Sequence, residues 1–180
     1  TAEAEPAVAG QIGDASLWLW NLWYFRYAVT TLHSSPLWTD LQYWPYGANL
    51  LLHAYGLTYG FLGFFLQPFL SLPAIFNLFV LSTMILGGFG IFVIAWEWGA
   101  GWGASFVAGC VFAFSPESHL LFTQGITLDH MSIQTLPLFL WTMLRVMRTR
   151  RPVDALLAAL ALTVTWGCDY YFFPVCAVLI

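Results

Sequence analysis

The sequence predicts an all-α, polytopic membrane helix bundle with interfacial helices in a long external first loop. Three observations carry that expectation. Only 8% of the 180 residues are charged and 60% are hydrophobic, whereas a soluble domain carries roughly a quarter charged residues. Apolar runs recur along the chain, and the mean hydropathy is +0.75. Four of the five basic residues, Arg145, Arg148, Arg150 and Arg151, fall in one short interval between two of those runs.

The runs at 74–96, 100–115, 131–147 and 155–171 are largely free of charge and are the candidate spans, about four in number. At 1.5 Å per residue the first is ample for a hydrocarbon core of about 30 Å, while the second and third need flanking turns to complete them. Gly87, Gly88 and Gly90 in the first, with Gly99, Gly103 and Cys110 in and before the second, suit close helix contacts. The arginine interval 145–152 is expected on the cytoplasmic side, because basic residues gather there. Counting backwards, 115–130 is external, 97–100 is a tight internal turn, and the run 74–96 begins outside. The last run then delivers Asp169 to the outer face.

Residues 1–73 read as an external loop with interfacial or re-entrant helices, and 74–180 as a truncated transmembrane bundle. Between 15 and 33, Leu17, Trp18, Leu22, Phe25, Val29 and Leu32 recur at i, i+4 and i+7, the spacing of a helix. Asp14 or Ser16 is available as its N-cap. Trp18, Trp20 and Trp23 suit headgroup depth, and Arg26 can snorkel to phosphate. Residues 34–47, with Pro36, Pro45 and Gly47, read as a rigid external loop. The apolar run 57–72 is short, aromatic and broken by Gly60, Gly63 and Pro68, so it reads as interfacial or re-entrant. Thr1 in place of Met, and an apolar run still open at Ile180, lead us to expect missing spans at one or both ends.

Composition also excludes partners. Nine acidic and five basic side chains give a net charge of -4, which provides neither a nucleic-acid surface nor a polybasic lipid-binding face. Ten Trp, eight Tyr and sixteen Phe exceed what a core of this size needs and point to the bilayer interface. Cys110, Cys168 and Cys176 lie in apolar runs without disulfide or zinc spacing and read as small packing residues.

The ionisable residues outside the basic interval fall mainly on the expected external side: Asp14, His33, Asp40, His53, Glu117, His119, Asp129, His130 and Asp169. Ionisable groups near a bilayer face persist where they pair, bind or catalyse, and a carboxylate at an aqueous boundary is also simply solvated. Asp129 and His130, with Glu117 earlier in the same loop, offer ligands to a hard metal or contacts to phosphate, although no established metal spacing is matched. Asp40 and His53 either bind or order their loop. Asp169 either joins the site or pairs with a histidine.

An aspartate ahead of interfacial helices, the stretch Pro45-Tyr46-Gly47-Ala48-Asn49-Leu50, the run Phe112-Ala113-Phe114-Ser115-Pro116, and Asp129-His130 opening a span that ends in arginines together resemble the C-type (GT-C) integral membrane glycosyltransferases. That group includes protein mannosyltransferases, lipid A aminoarabinose transferases and oligosaccharyltransferases. The resemblance covers most of the chain and rests on layout. It implies a multi-pass protein of the plasma (inner) membrane that moves a sugar from a polyprenyl-phosphate-linked donor to an acceptor on the external face. Asp14 would be the catalytic carboxylate. Asp40, His53, Asp129, His130 and Asp169 would contact substrate or donor, and Asp129, His130 and Glu117 would hold a divalent metal, Mg or Mn. The first span that should precede Asp14 is missing, and a fragment is expected to be inactive alone. A transporter or flippase, and a non-catalytic membrane scaffold, are the competing readings.

Overall fold

A computed structural model describes residues 15–52, 55–116, 134–169 and 172–178. The described chain is mostly helical, as an all-α protein should be. The helices are α1 (Ala15–Thr30), α2 (Leu57–Leu66), α3 (Leu72–Glu97), α4 (Trp102–Ala113), α5 (Thr135–Thr149), α6 (Pro152–Cys168) and α7 (Phe172–Val178). Between α1 and α2, β1 (Trp38–Thr39) and β2 (Ala48–Asn49) pair antiparallel, Trp38 opposite Asn49, and a 3-10 turn follows at Leu50–Leu52.

Local chemistry sets the helix ends. Ser71 is extended ahead of α3 and Pro73 occupies its first turn, where a missing N–H costs nothing. Gly99, at φ 90, turns the chain into α4. Arg150 adopts a left-handed conformation after α5, and Pro152 opens α6 immediately afterwards.

Helix α3 is the axis of the fold, with a mean hydropathy of 2.4 over its most apolar 18 residues. Its 26 residues span roughly 39 Å. Among the described residues it is the one helix long and apolar enough to cross a membrane, whereas α2, α4 and α6 are apolar but shorter. The four expected spans are thus helical, and α4 at 12 residues and α5 at 15 stop well short of a bilayer's thickness.

Close approach of α3 and α4 depends on glycine at two positions. A Cβ on Gly88 would lie 2.9 Å from the Gly109 carbonyl oxygen, and one on Gly109 would lie 2.6 Å from that of Gly88. Gly87 and Gly90 make room instead for Gln134 and Pro137 of the α5 entrance. Gly99 and Gly103, expected at the same seam, face open space.

Helices α1 and α2 pack on the first half of α3 and share one core with the end of α6: Trp18, Leu22, Tyr59, Ile75, Phe79 and Cys168 are all buried in it. Here the sequence reading of α1 needs correction. Trp18 is fully buried by neighbouring helices, while Val29 and Leu32, placed on the apolar face by spacing, are exposed. The inward stripe runs Ala15, Trp18, Leu22 and Phe25 because α2 and α3 cover that side. Exposed aromatic side chains occur at the loop tip, with Trp44 and Tyr46 at 80% and 84%, and on the helices, as at Trp23 and Phe106.

Candidate functional site

Two polar clusters lie at different levels of the bundle. The first gathers the ends of α3, α5 and α6. The Trp141 indole donates to Glu97 Oε1 at 2.9 Å, Arg148 approaches Glu97 Oε2 at 3.6 Å, and Arg145 Nε donates to Asp154 Oδ1 at 2.9 Å. The Arg145 guanidinium also lies over the Trp141 ring, 5.3 Å from its centroid. Asp154 sits in the turn ahead of the apolar run of α6. The Thr149 hydroxyl and then the Arg145 guanidinium hold its carboxyl below the usual 3.8, against the opposing effect of burial. Charge is matched by charge, so this cluster ties helix ends together. It also brings the 97–100 turn and the 149–152 turn together at one end of the bundle.

The second cluster is buried beside the middle of α3. Tyr59 of α2 lies against Phe79, with ring centroids 5.1 Å apart, and meets Trp18 edge-on at 6.0 Å. Gln134, entering α5 beside Gly87, donates from Nε2 to the Tyr59 hydroxyl at 3.1 Å. The Cys168 thiol is within hydrogen-bonding reach of Thr58 and Tyr59. Asp169 follows it in an extended conformation, 3% exposed, with its N–H bonded to the Thr165 carbonyl at 2.9 Å. Space for this meeting comes from Gly167, whose Cβ would collide with Thr58.

This second cluster carries unspent hydrogen-bonding capacity. Among the described residues the Trp18 indole N–H and the Gln134 Oε1 have no partner, although Trp18 is fully buried and Gln134 is 4% exposed. Buried polar atoms are normally paired, and each exception calls for a reason. Nearby, the Tyr55 hydroxyl is in the same condition, and burial, with the Tyr24 phenol second, pushes its pKa above the usual 10. A polar substrate group entering the seam would satisfy such atoms.

No family model, curated protein or solved structure matches the chain.

Of the residues expected to form a site, Asp169 is buried, next in the chain to Cys168 of the core cluster. Asp40 is exposed in the loop before β2, where it accepts from the Trp38 indole at 2.9 Å. The bond joins it to a side chain of its own loop. Asp14, His53, Glu117, Asp129 and His130 lie outside the described residues. Among the described residues no three His, Cys, Asp or Glu side chains gather to hold a metal. Glu97 and Asp154 are engaged by arginines, and Asp40 and Asp169 belong to different parts of the fold, so the carboxylates described do not fit a divalent ion.

Sequence reasoning missed Trp18, Tyr59 and Gln134 as members of this buried cluster. Gln134 carried the one usable signal, a lone amide inside an apolar run. Tyr59 and Trp18 were hidden among 34 aromatic residues of similar context.

Proposed function

We propose that the chain works as a multi-pass membrane glycosyltransferase, moving a sugar from a polyprenyl-phosphate-linked donor to an acceptor at the seam of Tyr59, Gln134 and Asp169. One observation supports the reading: Ala15, Gln134 and Cys168, each near an expected site residue in the chain, meet at one cluster. Ala15, which follows Asp14 in the chain, packs in the core cluster that contains Cys168, the neighbour of Asp169. Gln134, four positions after His130, bonds Tyr59 of the same cluster.

The membrane part of the reading is supported by the surface. Only 33% of the most apolar window of α3 is covered by protein, whereas the core helix of a soluble protein would be mostly covered. Ile85, Phe89, Phe106, Val111, Leu156 and Leu160 are all exposed, apolar side chains on three helices that suit lipid better than water.

The chemistry is a displacement at the anomeric carbon. The acceptor oxygen forms the new bond, the bond to the phosphate oxygen breaks, and the phosphate leaves with the electron pair. Asp14 takes the acceptor proton as base. Asp169 positions the acceptor, and the Trp18 indole and Gln134 amide give the sugar hydroxyls a donor and an acceptor in a low-dielectric seam. A divalent ion held by Glu117, Asp129 and His130 would supply positive charge to the departing phosphate.

One observation favours a second reading, a transporter. The seam lies beside Phe79 and Gly87, near the middle of α3 and not at its end, and transporter sites lie near the midplane. The test supplies the full chain, in vesicles, with polyprenyl-phosphate sugars. Transfer to an acceptor, lost in Asp14→Asn and reduced in Asp169→Asn, supports the enzyme. Full transfer in Asp14→Asn removes that residue from the mechanism, and sugar uptake without transfer supports the transporter.

A further inference from the structure

A cavity of about 390 Å³ opens between the last turns of α1 and the start of α3, away from the buried seam. Its volume is in the range of small-ligand sites. Arg26 lines it together with Trp23, Tyr27, Thr31, Ser71 and Leu72. Arg26 is the one basic residue outside the 145–151 interval.

The ion pairs among the described residues all join Glu97 or Asp154 to Arg145 or Arg148 at the far end of α3, so none neutralises Arg26. A guanidinium presents a planar fork of donors that matches phosphate oxygens. The remaining walls suit such a ligand. Ser71 makes no side-chain cap bond, which leaves its hydroxyl available, and the first turn of α3 presents free N–H groups with the positive end of the helix dipole. Trp23 and Tyr27 stack at 4.8 Å to form one wall. Leu70 and Leu72 make the rim apolar where α3 begins. A free anion would have no use for that rim, whereas a headgroup whose chains continue along α3 would.

We infer that this cavity binds the phosphate of an anionic phospholipid, with Arg26 as the anchoring charge. The inference rests on the membrane reading above, since it places the start of α3 at headgroup depth. A lipid held there clamps α1 against the entrance of α3, and so fixes the helix whose other end carries Trp18.

The test places the full chain in nanodiscs of phosphatidylcholine and phosphatidylglycerol at four to one, and counts retained lipids by native mass spectrometry. Wild type should retain phosphatidylglycerol in preference to phosphatidylcholine. Arg26→Gln should lower that retention about tenfold, the loss of one charge-assisted contact, with Arg26→Lys intermediate and Arg150→Gln unchanged. Thr31→Asp, an exposed position that should leave the fold intact, should abolish the preference by repulsion. Equal retention of the two lipids by wild type, or an unchanged preference in Arg26→Gln, overturns the inference. Displacement by millimolar inorganic phosphate would assign the cavity to free phosphate instead and also overturn it. A chain that washes off vesicles in alkaline carbonate overturns the membrane reading itself, whereas an inserted chain without lipid preference overturns this inference alone.

Discussion

Gln134 donates a hydrogen bond to the hydroxyl of Tyr59 at 3.1 Å, across 75 positions of chain, and both residues are buried. The bond links the entrance of α5 to α2, so it joins the basic-ended hairpin to the aromatic N-terminal part. Replacing Tyr59 by Phe keeps the ring against Phe79 and strands the Gln134 amide. A buried donor without a partner costs about 1–3 kcal/mol. Thermal unfolding in detergent should show that loss. Tyr59→Phe combined with Gln134→Leu should recover part of it, and strictly additive effects would mean the bond is not formed.

The α3–α4 crossing makes a prediction with an internal control. Gly88→Ala or Gly109→Ala forces a methyl against backbone oxygen, with too little room in either direction. Each should destabilise by about 1–3 kcal/mol through overpacking. Gly103→Ala lies in the same helix with nothing within 4 Å, and should be neutral or stabilising by about 0.5–1 kcal/mol. Equal effects at Gly103 and Gly109 would rule out the close crossing.

Acid should loosen the tie between α5 and α6. The folded value of Asp154 lies below its ordinary 3.8, so its contribution is fully present above about pH 4 and is lost as pH falls through the lower folded value. Thr149→Val, which removes the largest cause of the shift, should move that loss to higher pH. Asp154→Asn should remove this step from the acid profile. Melting temperatures between pH 6 and pH 2.5 are the measurement, and identical profiles for wild type and Asp154→Asn would contradict the tie.

Sidedness can be read chemically. With α3 crossing the bilayer, Tyr46→Cys and Arg150→Cys should react with a membrane-impermeant maleimide from opposite faces of sealed vesicles. Both sites are exposed, so accessibility is not in question. Labelling of both from one face would exclude a single crossing between them.

The helices were legible because apolar runs and the breaks between them are local signals: the arginine interval 145–152 separates two runs in the sequence and two helices in the structure. The face that each helix buries was less so. In a chain where 60% of residues are hydrophobic, both lipid and protein accept the same side chains, so periodicity did not tell that Trp18 turns inward while Leu32 stays outside. Glycines were equally ambiguous. Gly88 meets Gly109 and Gly103 meets nothing, although all three sit in apolar helices.

The sequence by itself determined an all-α chain of apolar helices with its positive charge collected at one turn, since composition and spacing are properties of short windows. Tertiary structure alone decided which polar groups meet. Cys168, just before Asp169, is buried with Tyr59, Gln134 bonds that tyrosine, and Asp40 accepts from the Trp38 indole. These pairings depend on how α2, α5 and the end of α6 pack beside the middle of α3, contacts between residues far apart in the chain that no window of sequence contains.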